Sequence, residues 1–190
     1  MGDIMPALSE EKWLERMKNE CRKLSKAGFE GEVSPDYERF VITIKADGFE
    51  PSSPGNAPRR RTMHEVQIDV SRRYPFEAPK AKWLTPIFHP NIIPPPPRGN
   101  GQICMEMLSP GGARNLAELV RGLTILVENP NPSSPLHHST CLEAKRFFER
   151  RFDTIQQTEG PRIIGLDSET NTGRGPRIVS EYGDESRIVR

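Results

Sequence analysis

The feature that most constrains this fold is a change in the spacing of apolar residues along the chain. Residues 9–27 have helical spacing, with Ser9 as a predicted N-cap and Gly28 as a stop. Alternation at every second position follows in residues 40–45 and 64–70, which predicts two half-buried strands. The apolar stripe of the predicted first helix consists of Trp13, Leu14, Met17, Cys21 and Leu24.

The remaining segments extend this pattern to a complete domain. A weaker strand is predicted at 28–35 and another near 81–84, so four strands follow one another as an antiparallel meander. Helical spacing returns in residues 116–127, and a last helix is predicted from about Ser139 to Phe152. This order predicts an α+β domain over residues 1–152. Residues 153–190 show no amphipathic period, and we expect an extension that is partly disordered or pairs with a sheet edge.

The charge and cysteine content argue against several classes of function. With 27 Lys+Arg and 26 Asp+Glu residues, the chain lacks the basic excess typical of proteins that bind nucleic acid or anionic membranes. No apolar run approaches the roughly 20 residues that span a bilayer, and no signal-peptide pattern is present. Cys21, Cys104 and Cys141 are too widely spaced for a disulfide framework or a zinc site. We therefore expect a cytoplasmic protein that holds no metal.

Three motifs in a fixed order give the chain a specific resemblance. Residues 74–92 read YPFEAPKAKWLTPIFHPNI, residues 101–108 read GQICMEML and residues 128–136 read ENPNPSSPL. These segments closely resemble ubiquitin-conjugating enzymes, which carry Tyr-Pro-Phe, His-Pro-Asn, Gly-x-Ile-Cys and Pro-Asn-Pro-x-x-Pro-Leu signatures. The resemblance covers residues 9–152 and implies the ubiquitin-conjugating fold, with an active-site loop between the strands and the C-terminal helices.

This resemblance implies a reaction and the residues that perform it. Cys104 would accept a ubiquitin-like modifier from an activating enzyme as a thioester and pass it to a lysine of a protein substrate. No cofactor is expected, because ATP is used by the activating enzyme. Asn91 matches an asparagine that stabilises the oxyanion or holds the active-site loop, and His89 and Pro90 would support that loop. Ser134 matches the gate position, where it would orient the incoming lysine.

The resemblance also implies surfaces for partner proteins. Lys12 and Arg16 lie on the helix face that the family uses for the activating enzyme, although a solvated face is the ordinary alternative. Phe76 lies in a loop that contacts RING-type ligases in family members. Residues 109–115 depart from the tryptophan and proline that the family often has there, a change that concerns the ligase rather than the thioester.

The chain departs from the family at two further places. The spacing between Asn91 and Cys104 is longer than usual, and Pro94–Pro97 lie in this insertion. We predict a stiff polyproline segment that lifts the loop over the cysteine; a docking motif for a proline-reading domain is the alternative. Residues 50–62 are predicted to be a loop in place of the family's Tyr-x-Gly-Gly turn. These departures indicate a distant branch and would suit a reduced prokaryotic ubiquitin-like pathway.

Two other functions stay open on the sequence alone. A non-catalytic variant of the same fold would only bind ubiquitin-like proteins, although such variants generally lack the cysteine that this chain has. A thiol hydrolase would need a histidine beside Cys104 in space. The histidines available for that role are His64, His137 and His138.

Overall fold

The structure, a computed structural model, describes residues 7–53, 56–104 and 112–158, with the side chains of the last helix described to residue 151. Its elements are α1 (Glu10–Lys26), β1 (Glu30–Val33), β2 (Arg39–Glu50), β3 (Arg59–Asp69), β4 (Lys80–Trp83), α2 (Leu116–Glu128) and α3 (Ser139–Thr158). The four strands form one antiparallel sheet in the order β1-β2-β3-β4. The predicted α+β meander is therefore confirmed.

One apolar core joins α1, the sheet and α2. The register of β2 and β3 places Phe40 opposite Ile68 and Ile42 opposite Val66, so their buried side chains share one face of the sheet. α2 packs on this face with its predicted apolar stripe, and α1 joins the same core through Trp13, Met17, Cys21 and Leu24. Leu14, which was predicted in the α1 stripe, lies outside this core. Fully buried side chains in this core include Trp13, Met17, Ile44, Leu119 and Leu123. The segment between β4 and α2 is left to carry the candidate site.

The hairpin between β2 and β3 is longer than the sequence predicts. Residues 59–62 belong to β3 rather than to the expected loop at 50–62. Glu50 lies opposite Arg59, and its carboxylate accepts hydrogen bonds from Arg59 and Arg61 at 2.6 and 2.7 Å. Because such cross-strand ion pairs favour continued pairing, they override the loop-like composition of this stretch.

The last helix also extends past its predicted end. α3 continues to Thr158 instead of stopping at Phe152, so the predicted domain boundary falls inside this helix. The short β-like segments predicted in the C-terminal extension lie outside the described residues. Within the part of the chain that the structure describes, no helix has the length and apolar character needed to cross a membrane.

A buried glutamate that the apolar pattern of α1 does not predict ties α1 to α2. Glu20 is fully buried, and its Oε2 accepts a hydrogen bond from the backbone N–H of Leu116, the first residue of α2, at 2.8 Å. Arg16 and Lys23 lie 3.7 Å from its other oxygen. A carboxylate at a helix N-terminus satisfies a free N–H and complements the helix dipole. The position of Glu20, three residues after Met17 and four before Leu24, is the signal in the sequence.

Candidate active site

The cysteine of the Gly-x-Ile-Cys motif stands at one end of a short hairpin, residues 91–104, which we call the active-site arm. Cys104 N donates to Asn91 O at 3.0 Å, Ile93 N to Gln102 O at 2.8 Å, and Gly101 N to Pro94 O at 3.1 Å. Ile92 and Ile103 form an antiparallel bridge between these bonds, and both are buried in the core. The arm is thereby anchored, and Cys104 lies exposed at its base.

The prolines lie at the opposite end of the arm, at a tip formed by residues 95–100. Arg98 N and Gly99 N both donate to Pro95 O, at 3.2 and 3.3 Å, which closes a compact turn. A polyproline helix has no internal hydrogen bonds, so the prediction of a stiff polyproline segment is wrong. Since a strand rises about 3.3 Å per residue, the pairing carries the tip about 10 Å away from Cys104. The insertion therefore extends away from the cysteine instead of covering it.

Asn91 holds the loop that follows α2. Its side chain is 3% exposed, and its Nδ2 donates to the backbone oxygens of Asn131 and Ser134 at 2.9 and 2.8 Å. Its Oδ1 accepts from Asn131 N at 2.8 Å. Residues 130–136, which we call the gate loop, are thus fastened to the base of the arm at three atoms. The Asn91 side chain has no amide hydrogen left for another acceptor in this arrangement.

His89 braces Asn91 from the interior. Its Nδ1 accepts the backbone N–H of Asn91 at 3.0 Å, and its Nε2 donates to Leu126 O, near the end of α2, at 2.9 Å. These two bonds require a neutral ring with the proton on Nε2. Burial lowers the pKa of His89 to about 4. The ring therefore stays neutral near pH 7 and links the base of the arm to α2.

The gate loop places the remaining predicted residues beside the arm. Pro90 O accepts a hydrogen bond from Leu136 N at 2.9 Å, which fastens the far end of the gate loop. The side chain of Ser134 is exposed, and its hydroxyl bonds no described residue. The Ser134 hydroxyl is available to an incoming group, while the serine's own backbone oxygen is held by Asn91.

The three cysteines occupy different environments. Cys141 is buried in α3, where its Sγ donates to Ile92 O at 3.4 Å, and burial raises the pKa of its thiol to about 11. Burial also raises the pKa of the half-buried Cys21 thiol. Cys104 alone among the three is exposed. Since the thiolate is the nucleophile, Cys104 is the one cysteine suited to acyl chemistry.

No described histidine forms a hydrogen bond with Cys104. His138 donates through Nε2 to Arg98 O of the tip at 3.0 Å and accepts through Nδ1 from Thr140 N of α3 at 3.3 Å, so both of its nitrogens are engaged. His64 is buried in the sheet against Trp83, and His137 is exposed. The described residues thus lack the nucleophile–base pair that a thiol hydrolase requires. They also contain no cluster of three or more side chains suited to a metal ion.

The residues predicted to bind partner proteins differ in their exposure and in their contacts with the rest of the domain. Phe76, in the segment between β3 and β4, is 54% exposed, and Lys12 is exposed on α1. The guanidinium of Arg16 lies 4.9 Å from the centre of the Tyr74 ring and pairs with Glu20. Arg16 therefore packs on the domain in addition to any role toward a partner. Part of the 109–115 segment lies outside the described residues.

The sequence matches the family described as Ubiquitin-conjugating enzyme over residues 14–158. The chain belongs to this family, so the predicted family and enzyme class are confirmed. It is similar to Ubiquitin-conjugating enzyme E2 T of Xenopus laevis, with 29% identity over 189 residues, 90% of this chain and 94% of that protein. It is 37% identical to the Bos taurus E2 T over 142 residues, 71% of this chain and 70% of that protein.

A solved structure extends the comparison to three dimensions. The fold is similar to that of the E2 domain of a Toxoplasma gondii ubiquitin conjugating enzyme, with a TM-score of 0.54 and 20% identity, over 76% of this chain and 92% of that one. At this identity the likeness supports the fold, which agrees with the prediction. These relatives are eukaryotic proteins, so they lend no support to the prokaryotic pathway considered above.

Proposed function

We propose that the chain carries a ubiquitin-like modifier as a thioester on Cys104 and transfers it to a substrate lysine. The Cys104 thiolate attacks the thioester between the modifier and an activating enzyme, and the activating enzyme's thiolate leaves. A lysine amine then attacks the new thioester, an isopeptide bond forms and the Cys104 thiolate is released. The lysine ammonium loses a proton before or during this second step.

The observation that carries the proposal is that the exposed thiol of Cys104 lies at the base of the active-site arm, where Asn91 bonds both the backbone of Cys104 and the gate loop. The main chain of Cys104 is bonded to Asn91, and the gate loop is bonded to the Asn91 side chain. The sulfur and the gate loop are therefore positioned by one residue. A thioester is already activated toward an amine, so the absence of a histidine bonded to Cys104 among the described residues suits this transfer.

Asn91 acts in this proposal as a positioning residue. Both of its amide hydrogens are bonded to backbone oxygens of the gate loop, and only a rearrangement of that loop would free one for an oxyanion. Of the two roles that the resemblance implies, the geometry thus favours the one that shapes the site. Ser134, whose hydroxyl is exposed, orients the incoming lysine. His89 holds the backbone of Asn91 and bonds α2, and Pro90 holds the far end of the gate loop.

The partners follow from this reaction. A modifier, an activating enzyme and protein substrates are required by the chemistry, and the exposed Phe76 supports a contact with a RING-type ligase. The basic face of α1, with Lys12 exposed, supports docking of the activating enzyme. ATP is consumed by that enzyme, so the proposal needs no cofactor on this chain.

A charging assay tests the proposal. Ubiquitin, an activating enzyme, ATP and the purified chain should form an adduct of the added mass of one modifier, which a thiol reductant removes. Cys104→Ala should abolish the adduct, Cys104→Ser should give an ester that resists reductant, and Cys141→Ala should keep the thioester. A folded chain that binds ubiquitin but stays uncharged while a control conjugating enzyme is charged would favour the non-catalytic variant instead.

A further inference from the structure

Three clefts meet where the tip of the arm approaches the β2–β3 hairpin and α3. Their volumes are about 240, 770 and 470 Å³, and all three are lined by Pro51 and Arg98. We call the joined surface the tip cleft. Pro94–Pro97 form a wall of the smallest, and Phe88 and Phe147 lie in the largest. The insertion that distinguishes this chain from its family thus builds one side of the surface.

The charge of the tip cleft is positive. Arg98 and Arg146 line it, and neither guanidinium has a hydrogen bond or ion pair with a described residue. Arg59 and Arg150 also line it, whereas the carboxylates in its walls are those of Glu50 and Glu143. Glu50 is already bound by two arginines of β3, at 2.6 and 2.7 Å. An anionic group placed here would meet the guanidiniums of Arg98 and Arg146, which pair with no described residue.

The apolar surface of the tip cleft indicates a ligand that carries an apolar group in addition to its negative charge. The Phe147 ring packs edge-on against Phe88, with centroids 5.8 Å apart, and the prolines provide a flat aliphatic wall. The chain as a whole has nearly balanced charge, with 27 Lys+Arg and 26 Asp+Glu residues, and so lacks the basic excess typical of proteins that bind a phosphate backbone. An acidic peptide with an apolar side chain matches both the guanidiniums and the apolar walls.

We infer that the tip cleft binds a segment of a partner protein in which acidic residues stand next to a leucine or phenylalanine. The acidic side chains pair with Arg98 and Arg146, and the apolar one lies against the prolines and Phe147. This site is separate from the thioester chemistry, because the antiparallel arm holds Cys104 at its other end. Binding therefore does not depend on the charging of the cysteine.

Fluorescence anisotropy with a labelled Asp/Leu peptide tests this inference, with the Asn/Leu peptide as the neutral probe. The protein is the full chain with Cys104→Ala, so no acyl transfer enters the measurement. We expect the acidic peptide to bind with an affinity that falls with added salt, and the neutral peptide to bind at least about tenfold more weakly. Arg98→Glu with Arg146→Glu should reduce acidic-peptide binding by at least about tenfold.

The controls separate a specific site from general charge. The hydrogen bonds of Arg98 to Pro95 and His138 use its backbone, so the substitutions leave them in place; thermal unfolding checks this. Arg121→Glu, on the exposed face of α2 and outside the tip cleft, should leave binding unchanged. Equal loss in Arg121→Glu, no binding of the acidic peptide, or tighter binding of a single-stranded oligonucleotide of matched charge would each overturn the inference.

Discussion

The two ends of the active-site arm are built in different ways. At the base, Asn91 and His89 are buried polar side chains whose bonds reach α2 and the gate loop. At the tip, backbone bonds from Arg98 and Gly99 to one carbonyl close the turn, and the side chains of residues 96–98 are exposed. One hairpin thus has a base fixed by side chains and a tip fixed by its own backbone.

This difference indicates which end tolerates change. Substituting a buried polar residue leaves its partners without hydrogen bonds, at a cost of about 1–3 kcal/mol for each group. An exposed side chain at a backbone-bonded turn has few such partners, so its replacement costs little. The base is therefore suited to a role that demands fixed geometry, and the tip is suited to carry a surface specific to this chain.

Asn91→Ala is the change with the largest expected effect at the base. It frees the gate loop at three atoms, so discharge of the Cys104 thioester to free lysine should slow by about a hundredfold, the loss typical of a misplaced group. Charging should change much less, because that step moves the modifier between two thiolates and needs no lysine oriented by the gate loop. Single-turnover rates of both steps measure the difference.

Asn91→Asp provides a second test, since it keeps the oxygen that accepts from Asn131 N but turns a carboxylate oxygen toward the backbone oxygens of Asn131 and Ser134. Its discharge rate should therefore fall at least as far as that of Asn91→Ala. If both steps fall equally in Asn91→Ala and the unfolding temperature drops sharply, the arm has collapsed and the comparison of the two ends no longer holds.

Acid should weaken the base through His89. Burial lowers the pKa of His89 from 6.5 to about 4. Between pH 6.5 and 4, His89 is therefore protonated in the unfolded chain and neutral in the folded chain. The contribution of His89 to the free energy of unfolding is fully present above pH 6.5, and about 3 kcal/mol of it is lost as the pH falls toward 4. The lowered pKa of the buried His64 acts in the same direction.

Urea unfolding across this pH range measures the loss. His89→Gln should flatten the dependence while lowering stability at neutral pH, and His137→Asn, at an exposed position, should leave the slope unchanged. An unchanged slope in His89→Gln would show that another group carries the acid sensitivity.

Gly99→Ala should separate stability from chemistry at the tip. A Cβ on Gly99 would lie 2.4 Å from Ile93 Cγ2 and 2.5 Å from Pro94 O, so a backbone shift is required. We expect a loss of about 1–3 kcal/mol in unfolding free energy, with charging and discharge rates unaltered at a temperature where the variant is folded. A discharge defect as large as that of Asn91→Ala would contradict the independence of the two ends.

The smallest expected effect lies far from both ends. Lys12→Glu should slow charging several-fold through weaker docking of the activating enzyme, while discharge from preformed thioester stays constant. Arg16→Glu should slow charging too, but it should also destabilise the fold because it places a carboxylate beside Glu20 and removes a contact with Tyr74. Equal charging rates for wild type and Lys12→Glu would remove α1 as the docking face.

Much of the fold could be read from periodicity because burial imposes it. The alternation in β2 and the apolar stripes of α1 and α2 follow from which face of each strand or helix packs against the core. Strand ends were predicted less well. The extension of β3 through residues 59–62 depends on ion pairs with Glu50, a residue that only the hairpin register brings opposite. A polar buried residue such as Glu20 breaks the apolar pattern and was missed for that reason.

The candidate site divides in the same way. Three motifs that resemble those of ubiquitin-conjugating enzymes, in the family's order, pointed to Cys104, Asn91 and the gate loop. Only the tertiary structure shows that both amide hydrogens of Asn91 are engaged and that Cys141 is buried with its thiol bonded to Ile92 O. It also shows that the prolines extend away from Cys104. Local sequence specifies residue types and spacing, whereas hydrogen bonds between segments far apart in the chain exist only after the core has brought those segments together.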